Sequence, residues 1–254
     1  MDIGLRDSVA FVTGGGTGIG RCTALALAAE GAAVAVADIH IESARATVAE
    51  LTAHGAEAIA VQADVSDEES VADAIATTAH ELGSLDSLVL CAGISGLYGR
   101  SIDEISTGEW DRMFDINVKG QWLPVKHALP FLRLSSKASV TIVASDSALV
   151  ASPLHVPYCA SKGALIMMVN AMAVDLRGDG IRVNCVCPSV VNTRMPKNDI
   201  GLSDDADLGD RYPIHEPDDI ARYLTFLASP AAATISGHAL VADFGFVGQS
   251  SFPM

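Results

Sequence analysis

Hydrophobic positions along this chain come in two rhythms. Short runs rich in Val, Ile, Leu and Ala occupy 8–13, 32–38, 57–64, 87–93, 139–145, 181–187 and 238–244. Between them lie longer stretches, such as GIGRCTALALAAEG and DEESVADAIATTAHELG, whose apolar residues return every three or four positions. Short runs that are apolar on both faces predict buried strands, and the longer period predicts amphipathic helices. The two quoted stretches end at Gly31 and Gly83, where a glycine cap past the last helical residue belongs. Strands buried on both faces and alternating with helices imply a parallel sheet covered on each side. The expected fold class is α/β: a single doubly wound sheet of seven parallel strands with helices on both faces. No repeat or linker divides the chain, so residues 1–254 read as one domain. The longest irregular segment, 192–215, is long enough to be a lid rather than a connector.

Composition narrows the function classes. The 254 residues are 50% hydrophobic and 19% charged, the balance of a globular chain. Sixteen basic residues against 31 acidic ones leave a formal charge of −15. Nucleic acid and anionic membrane surfaces would repel such a chain, and neither is expected as a partner. The most apolar-looking stretch, 163–174, is too short to span a bilayer and contains Asn170. The start, MDIGLRDSV, lacks the apolar run of a signal peptide. Five scattered cysteines (Cys22, Cys91, Cys159, Cys185 and Cys187) have no CxxC spacing. A reducing, cytoplasmic location is therefore expected, with neither a disulfide framework nor a metal site.

The first candidate for chemistry is VTGGGTGIGR, with five glycines between Gly14 and Gly20. Glycine loses more backbone freedom on folding than any other residue, so the run needs a cause. It lies between the first strand and the first helix, where a doubly wound sheet opens to a ligand. A Walker-type loop would require Lys and Ser or Thr after Gly20, but Arg21 and Cys22 follow. The GxGxxG spacing is absent too. What fits is TGxxxGIG, formed by Thr13, Gly14, Gly18, Ile19 and Gly20. Asp38 ends the second strand about 20 residues on, where a carboxylate accepts both ribose hydroxyls of an adenosine and repels a 2′-phosphate. Asp64 ends the third strand at the expected edge of an adenine pocket. These positions predict NAD, with its pyrophosphate on the N-terminus of the first helix.

The second candidate is SDSALVASPLHVPYCASK, 145–162. Ser145 ends a strand at the edge where ligands bind. Pro157 suits a first helical turn, which puts Tyr158 and Lys162 four residues apart on one helix face. A phenol with a pKa of ~10 is a poor base at neutral pH. A neighbouring ammonium and a positively charged nicotinamide would stabilise the phenolate. Lowering that pKa by about three units corresponds to roughly 4 kcal/mol.

With these residues in view, the chain resembles the short-chain dehydrogenase/reductase family over essentially its whole length. The resemblance is carried by Thr13 to Gly20, Asp38, Asp64 with Val65, Ala92 with Gly93, Asn117, Ser145, Tyr158 with Lys162, and Pro188 with Thr193. It implies a Rossmann-type fold, an NAD(H) cofactor and hydride transfer at CH–OH groups. Tyr158 would be the general acid/base, Lys162 would lower its pKa and hold the nicotinamide ribose, and Ser145 would bind the substrate oxygen. Asn117, in the helical stretch EWDRMFDINVKG, would hold a proton-relay water. The implied cofactor set is Gly14, Thr17, Gly18, Ile19, Gly20, Asp38, Asp64, Val65, Cys91, Ala92, Gly93, Tyr158, Lys162, Pro188, Val191 and Thr193. Within it, Val191 and Thr193 would meet the carboxamide. The family also implies a homotetramer, and the stretches around 110–132 and 163–176 carry more apolar residues than one buried stripe needs.

Three departures from the family pattern stand out. Leu90-Cys91-Ala92-Gly93 replaces Asn-Asn-Ala-Gly, which leaves strand bracing and ribose contact to the backbone. Ser189 follows Pro188 where glycine is usual, and Asp243-Phe244-Gly245 replaces Asp-Gly-Gly. None removes a reactive group.

The remaining residues bear on specificity. Ser147 is two residues too close to Tyr158 for the family's serine, so the role falls to Ser145. Cys159 reads as a small buried thiol, and His155 as either a pocket residue or an exposed loop histidine. Trp110 and Phe114 read as core or subunit interface, Arg194 and Met195 as pocket edge. The lid carries Asp199, Asp204, Asp205, Asp207 and Asp210 against Arg194, Lys197 and Arg211. Together with the charge of −15, this predicts a negative approach field that disfavours anionic substrates. Ile94, Leu97, Leu149, Val150, Leu154, Val156 and Met195 fall where the family has its pocket wall, and all are apolar. The expected function is oxidation of a small neutral secondary alcohol, cyclic or aryl-substituted, or reduction of its ketone. Two alternatives remain: a reductase of 3-oxoacyl chains on an acidic carrier protein, and a non-catalytic NAD-binding regulator. The overall charge disfavours the carrier protein, and the full proton-transfer set disfavours the regulator.

Overall fold

Each of the seven apolar runs forms a strand in the computed structural model, which describes residues 2–96, 98–203 and 213–248. They are β1 (Val9–Thr13), β2 (Ala33–Asp38), β3 (Ala58–Gln62), β4 (Ser87–Leu90), β5 (Ser139–Val143), β6 (Arg182–Pro188) and β7 (Ala239–Ala242). All neighbours pair in parallel, in the order β3-β2-β1-β4-β5-β6-β7. Successive side chains of a strand point to opposite faces. In β1, Phe11 enters one apolar cluster while Ala10 and Val12 enter the other, so the strand is apolar throughout. Helices α3 (Glu68–Leu82), α5 (Gly120–Leu132) and α6 (Val156–Asp175) cover the Phe11 face. The opposite face is covered by α1 (Gly18–Ala29), α2 (Ile41–Ala53) and α8 (Pro217–Ala228).

Gly31 and Gly83 follow α1 and α3 with φ of +90° and +80°, the left-handed geometry that side chains resist. One expectation needs correcting. The stretch EWDRMFDINVKG is not one regular helix: α4 (Thr107–Phe114) passes into α5 through a π-helical turn, Asp115–Lys119.

The chain winds from β1 to β3 on one side and from β4 to β7 on the other. A crevice therefore opens at the carboxyl ends of β1 and β4. Beside it, the ends of the 192–215 segment are pinned together. Val191 and His215 form an isolated parallel bridge, and the Asn192 N–H donates to the His215 carbonyl at 2.8 Å. Within that segment lies α7 (Arg194–Asp199). No helix among the described residues is long and apolar enough to cross a membrane.

Candidate active site

β1 delivers Thr13 to the crevice, and the chain turns there through Gly14 and Gly18, with φ of +62° and +51°. A Cβ on Gly20 would stand 2.2 Å from the Gly14 carbonyl oxygen, so the turn closes only without one. Asp38, at the end of β2, braces the loop. Its Oδ2 accepts the Gly16 N–H and its Oδ1 the His40 N–H, each at 3.0 Å. Each oxygen keeps a lone pair for a further donor. Thr13 Oγ1 accepts the Cys91 and Ala92 N–H groups at 3.1 and 3.2 Å, tying β1 to the chain after β4. Thr193 reaches the loop from the lid side, its Cγ2 lying 3.3 Å from where a Gly18 Cβ would stand. Val191 is buried, and Pro188 closes β6. Val65 packs against Gly120, and Asp64 accepts both donors of Ser66.

The N-terminus of α1 fits the anion that a dinucleotide would bring. Thr17 is its N-cap but makes no side-chain capping bond, and its first turn holds no acid. By contrast α3 is capped by Asp67 and begins with Glu68 and Glu69. The leading N–H groups of α1 therefore keep their partial positive charge for a pyrophosphate.

On the opposite side of the crevice, Ser145 follows β5 and is almost fully buried. Its Oγ accepts the Ser147 N–H at 3.1 Å and donates to Asp146 Oδ1 at 3.0 Å, and the hydroxyl lies near enough to Tyr158 to pull its phenol down. The Ser147 hydroxyl reaches only Asp146, at 3.5 Å. Tyr158 and Lys162 share a face of α6, with Nζ 5.6 Å from the phenol ring centre and donating to the Val143 carbonyl at 3.0 Å. Burial pushes the Tyr158 phenol up to about 12, with the charges of Asp146 and Asp199 acting in the same direction. Burial pulls Lys162 down to about 8. For the phenol this is opposite to the expected lowering, because desolvation outweighs the downward pull of the Ser145 hydroxyl. A lowered phenol needs the cofactor's positive charge in addition.

Asn117 lies in the π-turn, 1% exposed, which rules out a solvated amide. Its Oδ1 accepts the Ile94 N–H and its Nδ2 donates to the Ile94 carbonyl, both at 2.8 Å. Nδ2 also donates to Ser161 Oγ at 3.1 Å. The extra residue of such a turn re-aims the side chain, here toward the segment after β4. Gly93 sits between Asn117 Oδ1 and Lys162 Nζ: a Cβ on it would lie 3.3 and 3.7 Å from them.

Sequence reasoning missed Gln121, whose Nε2 donates to the Ala92 carbonyl at 2.6 Å. It supplies side-chain bracing that had been assigned to backbone alone. Its one signal was a position four residues beyond Asn117, on the same helical side. His155 is buried, so the exposed-loop alternative falls. Its ring stacks on Tyr158 with centres 4.5 Å apart and planes 9° apart. Trp110 stacks on Phe114 at 5.0 Å but remains exposed, which excludes the core. Cys159 is half-buried, and its sulfur accepts the Ser152 N–H at 3.4 Å. Asp199 does not face the approach path as a free charge; its Oδ1 accepts the Ser95 hydroxyl. Leu149, Val150, Leu154 and Val156 stay exposed, while Ile94 and Met195 are half-buried. Leu97, Asp204, Asp205, Asp207, Asp210 and Arg211 lie outside the described residues.

Comparison with known proteins gives one consistent result. A family model described as enoyl-(acyl carrier protein) reductase matches residues 14–247. The 2-(S)-hydroxypropyl-CoM dehydrogenase 3 of Xanthobacter autotrophicus is 37% identical, over 95% of this chain and 97% of its own. Cyclopentanol dehydrogenase of Comamonas testosteroni is 35% identical, over 95% and 98%. A solved 3-ketoacyl-(acyl-carrier-protein) reductase from Brucella melitensis, complexed with NADH, superposes with a TM-score of 0.86 at 31% identity, over 95% and 98%.

Proposed function

The chain belongs to the short-chain dehydrogenase/reductase family of oxidoreductases acting on CH–OH groups, and from that premise we propose an NAD-dependent secondary-alcohol dehydrogenase. The proposed substrate is small, neutral, and cyclic or aryl-substituted. The carrying observation is the convergence at the carboxyl edge of the sheet of buried Ser145, Tyr158 and buried Lys162, with the Lys162 Nζ 5.6 Å from the phenol ring centre on the same helix face. When bound, the nicotinamide accepts or donates the hydride. Tyr158 takes the alcohol proton at its phenol oxygen as the carbonyl forms, and returns it in the reverse direction. Ser145 holds the substrate oxygen and stabilises its developing charge. Lys162 keeps positive charge near the phenol and holds the ribose. Asn117 holds the segment after β4 and belongs to the proton path.

Several readings support NAD rather than NADP. Asp38 would repel a 2′-phosphate, and no Arg or Lys stands at 14–17 or 39 to neutralise it. Comparing kcat/KM for NAD+ and NADP+ tests this; equal or better use of NADP+ overturns it. The alcohol class rests on the exposed apolar side chains at the mouth, and on a relative named for cyclopentanol. The solved 3-ketoacyl-(acyl-carrier-protein) reductase favours a second reading, a 3-oxoacyl reductase. The charge of −15 opposes docking an acidic carrier.

The deciding experiment is a steady-state panel of cyclopentanol, cyclohexanol and 1-phenylethanol, with carboxylated analogues and a 3-oxoacyl thioester, across a salt series. Preference for the anionic members, weakened by salt, would overturn the proposal, and NADH binding without turnover of any member would favour a regulator. We further propose one domain with a lid at 192–215, a homotetramer, and the cytoplasm, whose reducing conditions suit five unpaired cysteines.

A further inference from the structure

We propose that His155 is a positioning residue that holds the ring of Tyr158 in its working plane, and that Ser95 and Asp199 tie it to α7. The inference rests on Tyr158 being the proton-transfer group. His155 stands one turn before Tyr158, at the N-cap of α6, and its ring lies parallel to the phenol at 4.5 Å. Its Nε2 is 2.8 Å from the Ser95 carbonyl. A carbonyl only accepts, so Nε2 carries the proton. Tyr98 packs edge-on against the same imidazole, with ring centres 5.2 Å apart. The imidazole is therefore held by a hydrogen bond at one nitrogen and by rings from two segments.

The chain of contacts then leaves the pocket. Ser95 Oγ donates to Asp199 Oδ1 at 2.5 Å, across 104 residues, and both Ser95 and His155 are more than nine-tenths buried. Core packing alone would be met by phenylalanine. Only a side chain that stacks and also donates can couple the phenol plane to the segment carrying Ser95. A shift of α7 moves Asp199 and Ser95, and through His155 it moves the phenol relative to Ser145 Oγ. The ionisable groups facing Tyr158 are Asp146 after β5, Asp199 on α7, and Cys159 and Lys162 on α6 itself, beside the stacked His155. Asp199 adds negative charge there, which favours the protonated phenol.

The test uses the full chain with NAD+ and whichever of cyclopentanol, cyclohexanol or 1-phenylethanol gives the highest kcat/KM. His155→Ala is expected to lower kcat about tenfold or more, with the NADH Kd, read by fluorescence titration, within about twofold of the parent. His155→Phe, which keeps the stack but loses the donor to Ser95, should recover only part of that loss, and full recovery would overturn the tie to Ser95. Asp199→Asn keeps an acceptor for Ser95 but removes the charge. The rising limb of kcat/KM for alcohol oxidation should therefore move to lower pH. An unchanged kcat in His155→Ala overturns the proposal, as does a His155→Phe no better than alanine at matched Tm, or an unmoved limb in Asp199→Asn. Tyr158→Phe separates the two levels. If it still turns over, the assignment of Tyr158 fails; if it is inert while His155→Ala behaves as the parent, only this inference fails.

Discussion

Tyr158 meets two opposing demands. Desolvation of this half-buried side chain pushes the phenol up to about 12, while the proposed alcohol oxidation needs the phenolate. Deprotonation is therefore the limiting form for oxidation. Its kcat/KM is expected to rise with pH below the phenol's pKa, and that of ketone reduction to stay level there and fall only as pH passes that pKa. A flat profile in both directions would contradict the assignment. Tyr158→Phe should lower kcat by several orders of magnitude and leave NADH affinity nearly intact, because only the proton-carrying atom is removed. The neighbouring serines should separate cleanly. Ser145 is buried, hydrogen-bonds Asp146 and pulls the Tyr158 phenol down, whereas the Ser147 hydroxyl touches Asp146 alone. Ser145→Ala is expected to be severe and Ser147→Ala mild; reversed effects would reassign the oxyanion partner.

Elements position these residues through a few demanding turns. Gly20 lies inside α1, where its φ is ordinary, yet a Cβ would stand 2.2 Å from the Gly14 carbonyl oxygen. Gly20→Ala must therefore push open the loop that presents the helix N-terminus. We expect NADH affinity to fall more than about tenfold with the protein still folded, since the strain falls on the proposed pyrophosphate cradle. Gly108, in the first turn of α4, has nothing near its would-be Cβ. Gly108→Ala is expected to raise stability by about 0.5–1 kcal/mol by stiffening the unfolded chain. At α3, Asp67 accepts the Ser70 N–H, and Asp67→Ala should cost about 1 kcal/mol in thermal or urea unfolding. Similar NADH affinities for Gly20→Ala and Gly108→Ala would show that the glycine turn is not the cradle.

At the scale of the whole molecule, Trp122, Met167 and Val174 on α5 and α6 are exposed apolar side chains on a chain carrying −15. A protein so charged is kept apart by repulsion unless such surface is covered, so these two helices are the expected subunit contact. Light scattering is expected to give four times the chain mass, and Met167→Glu to lower it; a monomer at micromolar concentration would rule the assembly out. The sequence determined the seven strands, the glycine turn, and Tyr158 and Lys162 sharing one helix face. Each depends on residues a few positions apart, and local backbone geometry alone decides which way those side chains point. The strand order was not determined that way, because β1 meets β4 only through crossovers that leave no periodic trace. Nor were Gln121 on Ala92, Asn117 on Ser161, or His155 on Ser95, which join residues 29, 44 and 60 positions apart. The direction of the Tyr158 shift belongs to the tertiary structure for the same reason. Spacing places an ammonium near the phenol, but only packing decides how far the phenol is desolvated, and at this site desolvation is the stronger effect.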